Sequence, residues 1–300
     1  MTGFKTWVGA ARLRTLPLSI SGIIVGTTLA IHEGYFSIVI FSLALGTTLG
    51  LQILSNFAND YGDGIKGTDN ENRIGPPRAL QSGLISEKEM KLGMVITAFL
   101  TLVMAVLLIY SAFGHDHFGY AIIFFLLGIS AIAAAIKYTV GSNAYGYRGL
   151  GDVFVFLFFG LVAVLGTYFL YAREIYWIAL LPASAIGMLS AGVLNLNNMR
   201  DRISDENSGK FTLVVKMGER KAKNYHYTLI LGAIFLFVLF SVLTSKELNN
   251  FIYVLAFIPL LFHLKRVVQN HDPRKLDPEL KILALSTFAV ATLFGLGLLI

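Results

Sequence analysis

The chain has 300 residues, of which 55% are hydrophobic and 14% charged, and its mean hydropathy is +0.68. Soluble domains carry about 25% charged residues, so this composition excludes an ordinary soluble protein. The complete absence of cysteine excludes disulfides, cysteine-ligated metal centres and thiol catalysis.

Apolar segments recur along the whole chain at the length needed to cross a membrane. A helix needs about 20 apolar residues to span the ~30 Å hydrocarbon core of a bilayer. We interpret nine segments as spans: residues 16–32, 36–57, 92–113, 118–136, 153–171, 175–196, 226–244, 250–264 and 281–300. The sequence therefore predicts an all-α polytopic membrane protein. We expect residues 1–300 to form a single domain, with nine transmembrane helices around a central cavity.

Lysine and arginine are distributed unevenly between the loops. All lysines and arginines except Arg173 and Lys246 lie in the N-terminal segment or in the loops that follow even-numbered spans. The last of these loops is taken to include Lys281, the first residue of the ninth span. Because cytoplasmic loops are enriched in basic residues, we expect the N-terminus to be cytoplasmic and the C-terminus to be outside. Topology thus accounts for the net charge of +6, and no nucleic-acid partner is expected.

The second span runs into a polar cluster with the sequence NFANDYGDGIKGTD. This cluster, which we call the first motif, contains Asn56, Asp60, Asp63 and Asp69. A loop broken repeatedly by glycine and proline follows it. The basic residues of this part of the chain are Lys66, Arg73 and Arg78. Near the end of the loop, Ser86 and Glu89 have the spacing of a capping box, which predicts a helix start.

The sixth span ends in a similar cluster, with the sequence NNMRDRISD. This second motif contains Asn197, Asp201 and Asp205, and Lys210 follows it. Asn197 and Asp201 repeat the Asn-x-x-x-Asp spacing of Asn56 and Asp60. The repeat suggests two related halves, residues 1–137 and 138–265, followed by a last helix.

The spacing of the acids favours binding of a divalent cation. At about 100° per residue, Asp60 and Asp63 lie about 60° apart on a helix, and Asp201 and Asp205 lie about 40° apart. Oxygen ligands without histidine or cysteine suit Mg²⁺, which binds through one or two carboxylates together with substrate phosphates. Two such motifs facing each other would hold a diphosphate, with Lys66, Arg73, Arg78 and Lys210 neutralising its remaining oxygens.

Two other interpretations remain. The acids could simply be solvated helix ends, although their occurrence in two matched motifs disfavours this. A cation-coupled transporter would also use acidic residues in membrane helices. Here the acids stand at one side of the membrane, and the centres of the spans carry no charge, which disfavours transport.

The sequence resembles the UbiA superfamily of intramembrane aromatic prenyltransferases, which carry two Asp-rich motifs on cytoplasmic loops. Four blocks carry the resemblance: LRTLPLSISGIIVGT (13–27), QILSNFANDYGDGIKGTDNENRIGPPRALQSG (52–83), KYTVGSNAYGYRGLGDVFVFLFFG (137–160) and VLNLNNMRDRISDENSGKFTLVVKMGE (193–219). Two positions depart from the superfamily pattern. Gly67 stands where a third acid is usual, and Asn197 replaces the leading acid of some relatives.

The resemblance is strongest to the menaquinone-pathway branch, and it implies an activity. A polyprenyl diphosphate would be bound through Mg²⁺ to the two motifs, and its chain would be transferred to 1,4-dihydroxy-2-naphthoate with loss of CO₂. It also implies a multi-pass location in a bacterial cytoplasmic (inner) membrane. A member that prenylates 4-hydroxybenzoate would keep the same motifs and is the alternative within the superfamily.

The loop at residues 137–152 is the candidate site for the aromatic acceptor. Lys137 or Arg148 would meet the carboxylate, Tyr138 and Tyr147 would stack on the rings, and Asp152 would take a phenolic proton. The plainer alternatives are interfacial tyrosines and a helix cap at Asp152. Arg14 is either a topology charge or a diphosphate contact, and topology is favoured.

Overall fold

The computed structural model of the chain describes residues 3–70, 74–244 and 247–300. Within these ranges all regular structure is helical, and nine helical segments are long and apolar enough to span a membrane. The predictions of an all-α fold and of nine spans are thus confirmed for the described residues. The α-helices are α1 (Phe4–Ala11), α2 (Leu16–His32), α3 (Ile38–Ile65), α4 (Glu87–Phe113), α5 (Phe118–Lys137), α6 (Gly151–Val155), α7 (Thr167–Ala172), α8 (Leu180–Asn207), α9 (Leu213–Met217), α10 (Glu219–Thr244), α11 (Phe257–Gln269) and α12 (Asp277–Leu299).

Two helices extend well beyond the spans predicted for them. α3 continues to Ile65 and α8 to Asn207, so the acids from Asp60 to Asp63 and from Asp201 to Asp205 stand on regular helical turns. Two residues after the end of α3 stands Gly67, whose φ is +69°. Glycine adopts this left-handed conformation without the steric cost that a side chain adds. The helix end therefore gives a structural reason for glycine where relatives carry an acid.

The start of α4 agrees with the predicted capping box. The Ser86 hydroxyl accepts a hydrogen bond from the backbone N–H of Glu89, and the Glu89 carboxylate accepts one from the backbone N–H of Ser86. These reciprocal bonds satisfy donors that a helix start would otherwise leave unpaired. The helix therefore starts at Glu87, before the apolar segment that indicated it.

The fifth span changes its helical winding in the membrane. A π-helix (Phe156–Gly166) lies between α6 and α7, and it packs closely against α8. A Cβ atom on Gly160 would lie 2.6 Å from the carbonyl oxygen of Ala183, and one on Gly187 would lie 2.8 Å from that of Phe156. The two glycines let the backbones approach, as small residues do between membrane helices.

The spans differ in how much of their surface packs on protein. The largest buried apolar cluster joins α2, the π-helix, α8, α10 and α12. α5, by contrast, buries only Ala134. We conclude that α5 stands at the periphery of the bundle.

Candidate active site

A cavity of about 390 Å³ is lined by side chains from both motifs and from the apolar helices. Its polar lining includes Asn56, Asp63 and Asp69 of the first motif and Asn197, Asp201 and Asp205 of the second, together with Arg78 and Lys210. Its apolar lining includes Ile23, Leu108, Phe124, Phe158, Val162 and Leu170. One space therefore offers both an apolar compartment and a strongly charged one.

Asp60 is buried beside the cavity and is held by two arginines. Arg12 forms an ion pair with its Oδ1 atom, and Arg78 Nη1 lies 3.3 Å from the same oxygen. The residue that follows α1, Arg12, has φ +52°, and this left-handed turn is where the chain leads from α1 towards α2. Asn56 fixes the turn, because its Nδ2 atom donates to the carbonyl oxygen of Ala11 at 2.9 Å.

Asp63 connects three parts of the chain through its two oxygens. The Tyr147 hydroxyl donates to Oδ1 at 2.8 Å, and Lys210 Nζ lies 3.1 Å from Oδ2. The same ammonium lies 3.9 Å from Oδ1 of Asp205. Although burial acts to lower the pKa of Lys210, the carboxylates of Asp63 and Asp205 raise it well above its usual value. A buried cation thus bridges the first and second motifs.

Tyr147 is packed between the motifs instead of facing the cavity. Lys66 Nζ lies 3.9 Å from the centroid of its ring, a cation–π arrangement, and also donates to the carbonyl oxygen of Thr139 at 2.8 Å. The Tyr147 hydroxyl uses its single proton in the hydrogen bond to Asp63. In its 2.6 Å hydrogen bond with Thr68, Tyr147 is therefore the acceptor and the Thr68 hydroxyl the donor. Burial lowers the pKa of Lys66 and raises the pKa of Tyr147.

In the second motif, a buried arginine binds two of the predicted metal ligands. Arg200 donates to both carboxylate oxygens of Asp201, at 2.8 and 2.6 Å, and to Oδ1 of Asn197 at 2.8 Å. It also pairs with Asp277, the first residue of α12. The last membrane helix therefore contributes a carboxylate to the hydrogen-bond network of the second motif.

The remaining candidates of the first motif and its loop take different positions. Asp69 lines the cavity, and its Oδ2 atom lies 3.7 Å from Arg78 Nε. Arg73 lies outside the described residues. Arg14 lines the cavity and is 3.9 Å from Asp277, so its position is compatible with either of the roles considered for it.

The five acceptor-site candidates at 137–152 separate into distinct environments. Tyr138 lines the cavity, whereas Lys137 and Arg148 are exposed and do not. Asp152 is buried behind the lining, close to Tyr225 of α10. Tyr147 binds the first motif, as described above. Of this set, the structure brings only Tyr138 to the cavity surface.

Several residues at the site were not singled out from the sequence. They are Arg12, Asn59, Tyr145, Arg200, Asp277 and Lys281, of which all but Asp277 line the cavity. Arg200 lies inside the second motif, so its position in the sequence could have identified it as a site residue. For Arg12 and Asp277 there was no such signal, because their partners are distant in sequence.

The donor set fits Mg²⁺ in its chemistry. Among residues 3–70, 74–244 and 247–300, no three acidic or histidine side chains converge on one point. The motif carboxylates instead face basic groups. The Lys210 ammonium between Asp63 and Asp205 shows that a positive charge is accommodated between the motifs. Carboxylate and carboxamide oxygens are the ligand types that Mg²⁺ prefers.

Comparison with known proteins agrees with this architecture. The model of the UbiA prenyltransferase family matches residues 19–295. A relative from Escherichia coli, a 1,4-dihydroxy-2-naphthoate octaprenyltransferase, is 41% identical over 296 residues, which cover 98% of this chain and 95% of that protein. Among solved structures, an apo UbiA homologue from Aeropyrum pernix superposes with a TM-score of 0.71 at 17% identity, covering 96% of this chain and 98% of that one.

A second solved structure was determined with ligands. A UbiA homologue from Archaeoglobus fulgidus bound to DMAPP and Mg²⁺ has a TM-score of 0.56 at 16% identity, covering 94% of this chain and 98% of that one. At these identities the two structures establish the shared fold. The family match over nearly the whole chain and the identity with the Escherichia coli relative together show that the protein belongs to the UbiA prenyltransferase family.

Proposed function

We propose that this protein transfers a polyprenyl chain from polyprenyl diphosphate to 1,4-dihydroxy-2-naphthoate, releasing diphosphate and CO₂ and forming a demethylmenaquinone in its reduced, quinol form. The observation that carries the proposal is the meeting of two acidic helix ends at one cavity, with Lys210 between Asp63 and Asp205. The naphthoate acceptor is supported by the relative that shares 41% of its residues with this chain.

Asp60, Asp63, Asp201 and Asp205 would hold Mg²⁺, with Asp69, Asn56 and Asn197 as supporting oxygen donors. Bound there, the ion would supply positive charge for the diphosphate as the allylic carbon–oxygen bond breaks. In the structure, Asp60 forms an ion pair with Arg12, and Asp201 forms one with Arg200. Those guanidinium groups are within reach of the same diphosphate, so the basic residues and the metal would act on one leaving group.

The basic side chains would bind the diphosphate and neutralise its charge. Lys210 and Arg78 line the cavity, and Lys66 lies behind them against Tyr147. We assign diphosphate binding to Lys66, Arg78 and Lys210, and also to Arg73. Because the raised pKa keeps Lys210 protonated, it is suited to charge neutralisation and not to proton abstraction.

The acceptor would enter beside Tyr138, the member of the 137–152 loop that faces the cavity. Its ring and the neighbouring apolar side chains would exclude water from the allylic cation, and aromatic faces stabilise such a cation. Asp152 is placed behind this wall with Tyr225, so we propose that it receives the phenolic proton through an intervening group. Lys137 and Arg148 stay candidates for the acceptor carboxylate only if the exposed loop moves inwards.

We further propose that the nine spans surround the cavity centrally, with the N-terminus cytoplasmic and the C-terminus outside. The distribution of basic residues supports this orientation. The location would be a bacterial cytoplasmic membrane, and the whole chain would act as one domain. The two related halves stay a prediction.

Product analysis tests the function. Membranes containing the protein would be incubated with Mg²⁺, a polyprenyl diphosphate, and either 1,4-dihydroxy-2-naphthoate or 4-hydroxybenzoate. We expect a prenylated naphthoquinol with loss of CO₂ and no prenylated benzoate. Formation of prenylated hydroxybenzoate alone would overturn the acceptor assignment.

Loss-of-function variants test the motifs separately. Asp60→Ala and Asp201→Ala should each abolish turnover while the protein still inserts into the membrane, whereas Glu219→Gln, a change at an exposed acid on α10, should leave turnover unchanged. Retained activity in either alanine variant would contradict the two-motif site.

A further inference from the structure

We propose that Asp277, the first residue of α12, is a positioning residue of the active site. By sharing the guanidinium group of Arg200, it keeps Asp201 and Asn197 oriented, and it leaves Asp201 sufficiently anionic to receive a divalent cation that carries diphosphate. The inference rests on the function proposed above and extends it to the ninth span, whose sequence contains no part of either motif.

Arg200 and Asp60 are the most completely buried charged side chains of this site, each with 1% of its surface exposed. Arg200 donates to Asp201 through two nitrogens, to Asn197 through one of these, and to Asp277 through the third. A planar guanidinium group has a fixed fork of donors, so three partners bound at once define its plane. The orientation of Asp201 and Asn197 is thereby defined as well.

The charges explain why a third partner is needed. An Arg200–Asp201 pair alone is formally neutral, and a bidentate arginine withdraws most of the carboxylate's capacity to bind a cation. With Asp277 added, the group of three carries a formal charge of −1. Arg14 lies 3.9 Å from the other oxygen of Asp277, but its side chain is 47% exposed, so solvent screens its charge. The Arg200 guanidinium is then shared between two carboxylates, so Asp201 retains electron density for a metal ion. Groups that orient metal ligands in this way commonly alter metal affinity by about 10- to 100-fold.

The position of α12 does not depend on Asp277 alone. Two residues further along, Glu279 accepts a hydrogen bond from His263 at 2.7 Å and pairs with Arg266, which ties the helix start to α11. Pro278 also favours a helix start at this place. The contact with Arg200 is therefore not required merely to fix the helix. Substitution of Asp277 should leave the bundle folded.

Cation binding by the purified full-length protein tests the inference. The probe is Mn²⁺ together with inorganic diphosphate, measured by electron paramagnetic resonance without any prenyl substrate. Asp277→Asn keeps the shape of the side chain and removes its charge, and we expect it to weaken Mn²⁺ binding roughly tenfold. Asp277→Glu restores the carboxylate and should recover most of the affinity. Glu219→Gln, at an exposed acid that pairs with Lys223, should bind Mn²⁺ as the wild type does.

Kinetics supply the second measurement. In Asp277→Asn, the Mg²⁺ concentration for half-maximal turnover and the KM for polyprenyl diphosphate should rise, and the KM for the naphthoate should not. Mn²⁺ affinity equal to that of the wild type, or a change confined to thermal stability, would overturn the inference. A wild type that binds no Mn²⁺ would overturn it too. A wild type that binds Mn²⁺ but forms no prenylated naphthoate would overturn the proposed function, while the Mn²⁺ comparison still decides the role of Asp277.

Discussion

Lys210 joins the two motifs through ion pairs with a carboxylate of each. Its ammonium group is buried between Asp63 and Asp205, which come from different helices. Two carboxylates brought together without a cation repel each other, and removing one partner of a buried ion pair costs about 3–5 kcal/mol. Lys210 therefore stabilises the motifs in the absence of any ligand.

Lys210→Met should lower the thermal unfolding midpoint when Mg²⁺ is absent, because Asp63 and Asp205 then lose their shared cation. Added Mg²⁺ should raise the midpoint more in this variant than in the wild type, since the ion replaces the missing charge. Differential scanning fluorimetry in detergent measures both effects. Lys221→Met, at an exposed lysine on α10, is the control. An equal Mg²⁺ response in wild type and Lys210→Met would contradict the prediction.

Tyr147 was predicted to stack on the aromatic acceptor, whereas in the structure its hydroxyl donates to Asp63 and its ring lies against Lys66. Tyr147→Phe keeps the ring and the cation–π contact with Lys66 but removes the hydrogen bond to Asp63. We expect kcat/KM for the prenyl diphosphate to fall roughly tenfold, with the KM for the naphthoate unchanged. Steady-state kinetics with each substrate varied in turn distinguish the two roles. A rise only in the KM for the naphthoate would instead support stacking.

At the scale of single residues, the sequence predicted the members of the site better than their partners. The spacing of Asp60, Asp63, Asp201 and Asp205 is visible in the chain, and helical periodicity is sufficient to group each pair. The arginine at position 12 contacts Asp60 only because α1 turns back on α3. No local pattern encodes such a contact, since it depends on how the helices pack.

The helices themselves determine how the motifs are presented. Hydropathy predicted the ends of the second and sixth spans too early, because it falls before the helical hydrogen bonding ends at Ile65 and Asn207. The additional turns project the acids beyond the apolar part of each span. The π-helix was not predicted either, because its apolar sequence has no feature that distinguishes it from an α-helix.

The contact between the π-helix and α8 makes a further prediction. Gly160→Ala would place a Cβ atom 2.6 Å from backbone atoms of α8, and overpacking of this kind costs about 1–3 kcal/mol. We expect a lower thermal unfolding midpoint in detergent. Gly119→Ala on α5 is the matched control, because nothing lies within 4 Å of its added Cβ atom. Equal midpoints for the two variants would show that the helices separate without cost.

For the molecule as a whole, the proposed orientation can be tested with ease because the chain contains no cysteine. Single cysteines would be introduced at Asp116, in the turn between α4 and α5, and at Lys221, near the start of α10; both positions are exposed. A membrane-impermeant maleimide should label Asp116→Cys in intact cells, and Lys221→Cys only after the membrane is opened. The reverse pattern would invert the topology.

Composition was sufficient to predict the class of the whole molecule, since nine apolar segments leave little choice of architecture. The sequence offers less basis for predicting the cavity than for predicting the fold class. The lining of the cavity combines residues from most of the bundle, so its shape depends on packing that a single sequence does not display.

The peripheral position of α5 has a consequence for how reaction rates should be measured. One face of this helix, including Phe124, Leu127, Gly128 and Ala131, lines the cavity, while Ile122, Phe125 and Leu126 on the other side are exposed. On that side, a single helix separates the cavity from the surrounding lipid. A prenyl donor dissolved in the bilayer reaches the protein by lateral diffusion, so its effective concentration is its mole fraction in the membrane. Diluting a proteoliposome suspension with buffer that holds the naphthoate and Mg²⁺ at unchanged concentrations should therefore leave the rate per enzyme unchanged, whereas adding inert lipid within the same vesicles should lower it.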